Sequence, residues 1–599
     1  MNKLKFKTYI AALAAMSVTA LPSCDDVFEP SLERKMSLED VEEGVLGYSG
    51  VLGYAYSALP FLTRSTTDIA TDDATTNDLT SSYYRVATSW TSKFDPLSQW
   101  QSRLAVINNL NLFIDNGDGY NWADDETVNK LYQMRMNAEA YALRALNMYY
   151  LLINHGGKDA NGNWVAFPIF TKSLGSDSDF NLPRNTVQEC VNQMFADLDK
   201  AIEVLPDAYD DIKAGQEDKI SATVAAVSSD VNIYNKVFGA YMRGRVDGRI
   251  CKAIKSMIAL LVVSPSMEGS TTLTWEDAAN LAGDVLNYST GVASKGNEWY
   301  SDGGIENFQA GKCPAEILWR GNKDNGQEDY ALGIYQERQN FPPTLNGYGR
   351  INPSQNLVDA FPMANGYPID NENSGYDAND PYANRDPRLD LYILHDGSKF
   401  KNTDLKTGIT DKSNNDGLRL SNNATYTGYY LKKLLNSEVN FANDGKITAK
   451  YHYAAYIRFT EIYLNYAEAA NEAWGPKAVG LNYNLSAYDV IKAIRERAGI
   501  KNTDYLDECA ADKEKMRELI RNERRIELCF ENKRFWDLRR WKLNLNEPVR
   551  GVEIDEKDGK KTYKYFDVAE RKYNDYMIYG PIPNSEILKW STLVQNQGW

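Results

Sequence analysis

The 599-residue chain is 43% apolar and 12% aromatic, which is the composition of a folded globular protein and not of a disordered one. Its 66 Lys and Arg against 82 Asp and Glu give a net charge of −16, which argues against a nucleic-acid partner because phosphate backbones attract basic proteins. Six cysteines without a CxxC spacing argue against a disulfide scaffold and against zinc or redox motifs.

The N-terminus has the layout of a secretion signal. Three lysines precede an uncharged apolar run, residues 9–21, that is too short to span a membrane. The run leads into LPSC, which resembles a bacterial lipobox ending at Cys24. We therefore expect residues 1–23 to be a lipoprotein signal peptide and residues 24–36 to be a lipidated linker that tethers the chain to a membrane. The alternative is an ordinary signal peptide in which Cys24 is incidental.

Apolar residues then recur at helical spacing in a series of segments, several of which follow one another as pairs. The predicted helices cover residues 37–59, 100–114, 133–154, 186–206, 249–263, 274–286, 456–475 and 487–499. Small residues such as Ala138, Ala142 and Ala145 occupy the packing face of one of them, which allows close helix approach. The pattern predicts a mainly α fold whose helix pairs are similar to degenerate tetratricopeptide repeats.

Long stretches rich in Gly, Asn and Asp separate these helices. They cover residues 64–99, 206–248, 292–350 and 366–450. Their turn signals predict ordered loops and a few short strands laid over the helical scaffold. Binding residues are often found on such loops.

The stretch RNERRIELCFENKRFWDLRRW, residues 521–541, reads as a charged helix. Its spacing places Glu523 and Glu527 on the same stripe as Ile520, Ile526 and Phe530, the face that a helix normally buries. Seven arginines nearby in sequence could satisfy these carboxylates. They are Arg458, Arg521, Arg524, Arg525, Arg534, Arg539 and Arg540. This favours interior ion pairs that fix the helix against the helix of residues 456–473.

Two catalytic interpretations of the same glutamates are weaker. A di-iron carboxylate site needs Glu-x-x-His motifs, and none of His155, His395 and His452 has a glutamate three residues before it. Glu461 and Glu468 could pair with the two glutamates for glycoside hydrolysis, but among 82 acidic residues such pairs are easy to find. We therefore predict no catalytic residues.

Segments in four parts of the chain together resemble the SusD/RagB family of outer-membrane lipoproteins. They are AEAYALRALNMYYLLINHGG, YIRFTEIYLNYAEAANEA, LIRNERRIELCFENKRFWDLRRW and the closing PIPNSEIL with QNQGW. Their order after a lipobox extends the resemblance over residues 24–599. It implies four tetratricopeptide-like helix pairs, with residues 37–320 as an N-terminal SusD-like region and residues 321–599 as a C-terminal RagB/SusD region of one integrated fold.

The resemblance also implies a function. Family members have no catalytic site and cap a SusC-type TonB-dependent transporter, into which captured glycans pass. The implied protein is a lipid-anchored polysaccharide- or oligosaccharide-binding protein of the outer membrane that faces the cell exterior. A peptide-binding, RagB-like role is the main alternative, and a secreted hydrolase is the third. The sequence does not identify the ligand.

Ligand residues can be carried over by position. In starch-binding members an arc of aromatics comes from segments that correspond here to residues 71–90 and 330–352. The residues expected to stack on sugar faces are Tyr83, Tyr84, Tyr335 and Tyr348, and those expected to bind hydroxyls are Asp73, Asn77 and Arg338. The alternative for each tyrosine is a role in anchoring its loop to the core, and Trp90 and Trp100 are expected to be structural.

No cofactor is expected. Calcium prefers several oxygen ligands, and Asp68, Asp72, Asp73 and Asp78 could supply them, although they lack the spacing of an EF-hand.

Overall fold

The computed structural model describes residues 45–62, 64, 66–289, 291–292, 316–321, 332–441, 447–450 and 455–599. The expected signal peptide, Cys24 and the linker lie outside the described residues. Contacts divide the chain into residues 1–54 and residues 55–599. The described part of the first unit, residues 45–54, is helical.

Helices dominate the described residues, as predicted. In chain order they are α1 (Val45–Ser57), α2 (Ser82–Ser89), α3 (Trp100–Asn116), α4 (Glu126–His155), α5 (Val187–Ile202), α6 (Ala222–Ala225), α7 (Val231–Phe238), α8 (Gly248–Val263), α9 (Trp275–Leu286), α10 (Leu332–Asn340), α11 (Gln355–Ala360), α12 (Pro387–Tyr392), α13 (Phe459–Trp474), α14 (Ala487–Arg497), α15 (Asp504–Cys509), α16 (Lys513–Glu527), α17 (Arg534–Arg540) and α18 (Asn584–Lys589).

The strands are short and pair antiparallel in twos. The pairs are β1 (Ala74–Thr76) with β5 (Ile351–Pro353), β2 (Gly157–Lys158) with β3 (Trp164–Val165), β4 (Ile317–Arg320) with β10 (Ala455–Arg458), β6 (Ile393–Leu394) with β9 (Tyr430–Leu431), β7 (Lys399–Phe400) with β8 (Thr403–Asp404), and β11 (Val549–Lys557) with β12 (Lys560–Ala569).

The long helices form a continuous layer in which each packs on its neighbours. Helix α4 contacts α3 and α5, α8 contacts α5 and α9, and α13 contacts α9, α14 and α16. Ala138, Ala142 and Ala145 of α4 are buried, as expected for small residues at a close helix contact. The mainly α, tetratricopeptide-like fold predicted from the helix pairs is confirmed.

Side-chain caps explain where several of these helices begin. Thr186 before α5, Thr274 before α9 and Ser486 before α14 each form a capping box with the acidic residue three positions later. The Asp125 carboxylate accepts the backbone N–H of Val128 at the start of α4. These caps satisfy N–H groups that a helix cannot satisfy itself.

The predicted loop stretches contain short helices as well as strands. The stretches 64–99, 292–350 and 366–450 contribute residues to an apolar cluster that includes Phe341, Tyr392, Tyr430, Phe530 and Val552. The loops are therefore anchored in a core of their own and do not merely lie on the helices.

The stretch 521–541 is not one helix, so that part of the sequence interpretation is wrong. Helix α16 ends at Glu527 and α17 begins at Arg534. Between them Phe530 and Asn532 have positive φ angles of 61° and 59°, which a helix does not tolerate. The buried Asp68 carboxylate accepts the backbone N–H groups of Phe530 and Asn532 at 3.2 and 3.3 Å. A residue far away in sequence thus stabilises the break.

Glu523 and Glu527 are fully buried in ion pairs, as predicted, but their partners differ from those expected. Arg388 donates to both carboxylates, at 2.9 Å each. Arg495 bonds to Glu523 and Arg497 to Glu527, both at 3.1 Å. The two glutamates therefore fix α16 to α12 and α14, whereas α13 is held by Arg524, which donates to Asn465 at 2.7 Å.

Replacing Glu527 by Gln should lower the free energy of unfolding by on the order of 3 kcal/mol, because Arg388 and Arg497 would lose a buried counter-charge. The matched control is Glu518→Gln, whose side chain on the same helix is 73% exposed and should change stability by less than about 0.5 kcal/mol. Urea denaturation of the three proteins measures this. Equal stability of the Glu527 variant and the control would contradict a structural role for Glu527.

Candidate functional site

Three loops meet at one surface, which we call the three-loop surface and define as residues 77–84, 346–350 and 419–426. The β1–β5 pairing creates it, because Thr76 pairs with Ile351 and the chain on either side of that pair continues into the first two loops. Strands in register bring their flanking residues together.

Asn77 ties the three loops to one another. Its amide nitrogen donates to the carbonyl oxygens of Tyr348 at 2.9 Å and Ala424 at 3.3 Å. Its amide oxygen accepts from Nη1 of Arg350 at 3.0 Å. Since Asn77 is also buried, it acts as a clamp between the loops.

The third loop is fixed against the second by close backbone contact. The N–H of Tyr426 donates to Oδ1 of Asn352 at 2.9 Å. Gly349 has a φ of +52°, and a Cβ there would lie 2.5 Å from the carbonyl oxygen of Asn423. Only glycine permits this approach, so the two loops form one rigid surface.

Aromatic rings and guanidinium groups contact one another in two groups on the three-loop surface and the adjoining hairpin. Arg350 lies over the ring of Tyr348 at 5.3 Å, and Arg419 lies over the rings of Tyr426 and Phe566 at 5.2 and 5.5 Å. Arg419 is exposed, while the three rings are half-buried. Such rings present flat faces to the C–H faces of sugars, and the arginines supply several N–H donors for hydroxyl groups.

The structure brings only some of the predicted ligand residues to this surface in accessible form. Tyr348 contributes its ring, and Asn77 contributes the clamp. Tyr83 and Tyr84 on α2 are half-buried against the apolar clusters below, which matches the loop-anchoring alternative for much of each ring.

Tyr335 and Arg338 lie on α10 and make other contacts. Arg64 stacks on the Tyr335 ring at 3.7 Å. The Arg338 guanidinium lies 5.3 Å from the Phe441 ring, and the Arg338 carbonyl accepts the N–H of Tyr348 at 2.9 Å. Arg338 therefore supports the second loop through its backbone.

Asp73 is 0% exposed, a position that does not fit hydroxyl recognition. Its carboxylate accepts from Nε of Arg525 on α16 at 2.7 Å, and burial raises the pKa of Asp73 although Arg525 opposes the shift. Burial also disfavours ionisation of Asp72, but Arg525 and Arg534 outweigh it and hold the pKa of that carboxyl below its usual range. These pairs hold β1, and with it the first loop, against α16 and α17.

The four aspartates named as possible calcium ligands are each bound by groups of the protein. Asp68 accepts backbone N–H groups, Asp72 and Asp73 pair with arginines, and Asp78 accepts from Thr80. Among the described residues, no cluster of three or more His, Cys, Asp or Glu side chains is arranged to hold a metal.

Arg350, Arg419 and Tyr426 were not among the predicted ligand residues. The segment RLSNNATYTGYY, residues 419–430, lies in the loop stretch 366–450 and combines an arginine, two asparagines and three tyrosines. That composition signals a binding loop, but no local pattern places it beside residues 346–350. The contact depends on long-range packing.

The three-loop surface is poorly equipped for hydrolysis. Its three segments contain a single carboxylate, Asp78, whose Oδ1 accepts from the Thr80 hydroxyl at 2.6 Å. Glycoside hydrolysis generally requires two carboxyl groups that flank the scissile bond.

Family models match two parts of the chain. The model described as the SusD family matches residues 315–599, and one described as starch-binding and associating with the outer membrane matches residues 29–229. A SusD-like protein of Formosa agariphila is 22% identical over 495 residues, which cover 82% of this chain and 76% of the relative.

Solved structures share the fold. A SusD-like protein from Bacteroides fragilis aligns with a TM-score of 0.69 at 22% identity, over 94% of this chain and 99% of its own. A SusD-like carbohydrate-binding protein from the same species gives 0.66 at 18% identity, over 92% and 99%. Surface glycan-binding protein A from Bacteroides fluxus gives a TM-score of 0.55 at 17% identity, over 93% of this chain and 100% of its own.

Within the described residues, every helix is too short or too polar to cross a membrane.

Replacing Asn77 by Ala should loosen the second and third loops of the three-loop surface, because the Asn77 side chain bonds to both of them. We expect faster backbone hydrogen exchange in residues 346–350 and 419–426, unchanged exchange in α4, and a stability loss of about 1–3 kcal/mol. Asn161→Ala, at an exposed asparagine, is the control. Unchanged exchange in both loops would show that Asn77 does not hold them.

Proposed function

The chain belongs to the SusD/RagB family, and from this premise we propose that it is a non-catalytic carbohydrate-binding protein of the outer membrane that captures an oligosaccharide or polysaccharide on the three-loop surface. The observation that carries the proposal is the contact of Arg350 with the Tyr348 ring and of Arg419 with the Tyr426 and Phe566 rings, which combines stacking faces with hydroxyl-binding groups. A lone carboxylate at this surface supports binding without turnover.

The names of the relatives support a carbohydrate ligand. The N-terminal family model is described as starch-binding, and two of the three structural neighbours are described as carbohydrate-binding and surface glycan-binding. The identities are low, so these names support a class of ligand and not a particular glycan. The rigidity given by Asn77 and Gly349 supports the same role, since a preformed surface loses little entropy on binding.

The finer part of the proposal concerns delivery. We propose that Cys24 carries the lipid anchor, that the chain faces the cell exterior, and that it passes its ligand to a SusC-type TonB-dependent transporter. The LPSC sequence supports the anchor, and the description of the N-terminal family model as associating with the outer membrane supports the location. The transporter follows from the family resemblance.

Affinity gel electrophoresis of residues 25–599 against amylopectin, xyloglucan, galactomannan and pectin tests the binding proposal. We expect retardation by at least one polysaccharide without release of reducing ends. Tyr426→Ala should weaken it about ten-fold, or about 1.4 kcal/mol, because a stacking ring is lost. Tyr241→Ala removes a tyrosine that is 94% exposed elsewhere and should leave retardation unchanged.

Three outcomes would contradict the binding proposal, each in a different way. Retardation that Tyr426→Ala does not alter would place the ligand away from the three-loop surface. Release of reducing ends would favour the hydrolase alternative. If no polysaccharide is retained, isothermal titration with a mixture of short peptides distinguishes the peptide-binding alternative from a chain that binds neither class.

A further inference from the structure

A second aromatic surface lies on the opposite face of the β11–β12 hairpin. In a strand, alternate side chains point to opposite faces and lie about 6.6–6.8 Å apart along each face. Phe566 therefore points toward Arg419 and the three-loop surface, whereas Tyr563 and Tyr565 point to the other face. The hairpin separates two surfaces of similar chemistry.

Strand β12 is the outer strand of this hairpin. Strand β11 is the inner strand and bonds to the loops beside it. The Val552 N–H donates to the Thr427 carbonyl at 2.8 Å, and the Ile554 carbonyl accepts the Ile409 N–H at 2.9 Å. Val552 and Ile554, which pair with Tyr565 and Tyr563, are buried. Tyr565 itself is 41% exposed, so the tyrosines lie where the core face reaches the protein surface.

A neighbouring loop braces these rings. Tyr376 lies next to Tyr565, and burial together with this neighbour raises the pKa of the Tyr565 hydroxyl. Tyr382 meets the Tyr563 ring edge-on, with centroids 6.1 Å apart. Tyr382 is in turn held by the Tyr429 hydroxyl at 3.1 Å and by His395, which stacks on its ring at 4.0 Å. These contacts hold the rings in position before a ligand binds, so the rings are preorganised.

The row of side chains continues into a polar cleft. Lys561 lies two residues before Tyr563, on the same face of the strand, and donates to Asp396 at 2.6 Å. Lys561 and Asp396 line a cleft of about 610 Å³. The cleft also presents Asp404, Lys406 and Thr410, and its volume is in the range of small-molecule sites. Its acidic residues outnumber its lysines, so it would repel anionic sugars.

We propose that Tyr376, Tyr563 and Tyr565, together with this cleft, form a second binding site for a neutral saccharide. The inference rests on the proposed function, because it assumes that the chain binds glycans. The tyrosines would stack on sugar rings, and the cleft would bind hydroxyl groups. Since the same hairpin separates this site from the three-loop surface, one polysaccharide could engage both, which raises its apparent affinity above that of a short oligosaccharide.

The test compares Tyr565→Ala with Tyr426→Ala, using the polysaccharides above and short oligosaccharides of the one that is retained. Tyr565 is the residue to change because it is the most exposed of the three rings. Tyr565→Phe keeps the ring and should retain most of the binding. Tyr241→Ala is the control, and thermal denaturation verifies that each variant is folded.

The proposal predicts that Tyr565→Ala weakens retention of a neutral polysaccharide several-fold, while binding of its short oligosaccharides at the three-loop surface changes little. Tyr426→Ala should weaken both. If Tyr565→Ala has no effect while Tyr426→Ala abolishes retention, the second site is refuted and the proposed function stands. If the wild-type chain retains no polysaccharide, both are refuted. Retention of pectin that depends on Tyr565 would overturn the assignment to neutral sugars.

Discussion

Buried charge pairs fix helix α16 to its neighbours on two sides. Glu523 and Glu527 pair on one side with Arg388, Arg495 and Arg497, so the helix cannot move relative to α12 and α14 without leaving charges unpaired. On another side Arg525 pairs with Asp72 and Asp73. One helix therefore holds both the helical layer and the first strand of the loop region in place.

This arrangement explains how a surface made of loops can be rigid. Strand β1 is fixed to α16 by Asp73 and to β5 by its backbone, and Asn77 follows directly at its end. The amide of Asn77 then fixes the second and third loops. Tyr348 and Tyr426 are thus positioned through a short series of contacts that begins in the buried charges. A loop surface held in this way keeps its shape without ligand.

The sequence predicted those helices whose pattern of apolar residues is contained within the helix itself. The periodicity of residues 100–114 and 249–263 predicted α3 and α8, and the apolar stripe of α16 placed Glu523 and Glu527 in the interior. Features that depend on distant residues were not predictable. The partner Arg388 lies more than a hundred residues before Glu523, and the break after Glu527 depends on Asp68.

The candidate site shows the same division. The loop segments could be located from their composition and from the family resemblance, and Tyr348 does lie on the three-loop surface. The sequence indicates that Asp73 is a polar loop residue able to bind hydroxyl groups. Nothing in the neighbouring residues reveals that it is buried in an ion pair with Arg525. Arg419 and Tyr426 reach the surface only because Gly349 allows their loop to approach. Which residues share a surface was decided by packing, which a single sequence does not display.

A crystal structure of residues 25–599 with a bound oligosaccharide of the polysaccharide that the chain retains would test ligand capture at the three-loop surface. We expect an intact sugar chain with rings stacked on Tyr348 or Tyr426, hydroxyl groups within hydrogen-bonding distance of Arg350 or Arg419, and loops in the positions described for the free chain. A sugar bound only at another surface, or a cleaved one, would refute capture at the three-loop surface.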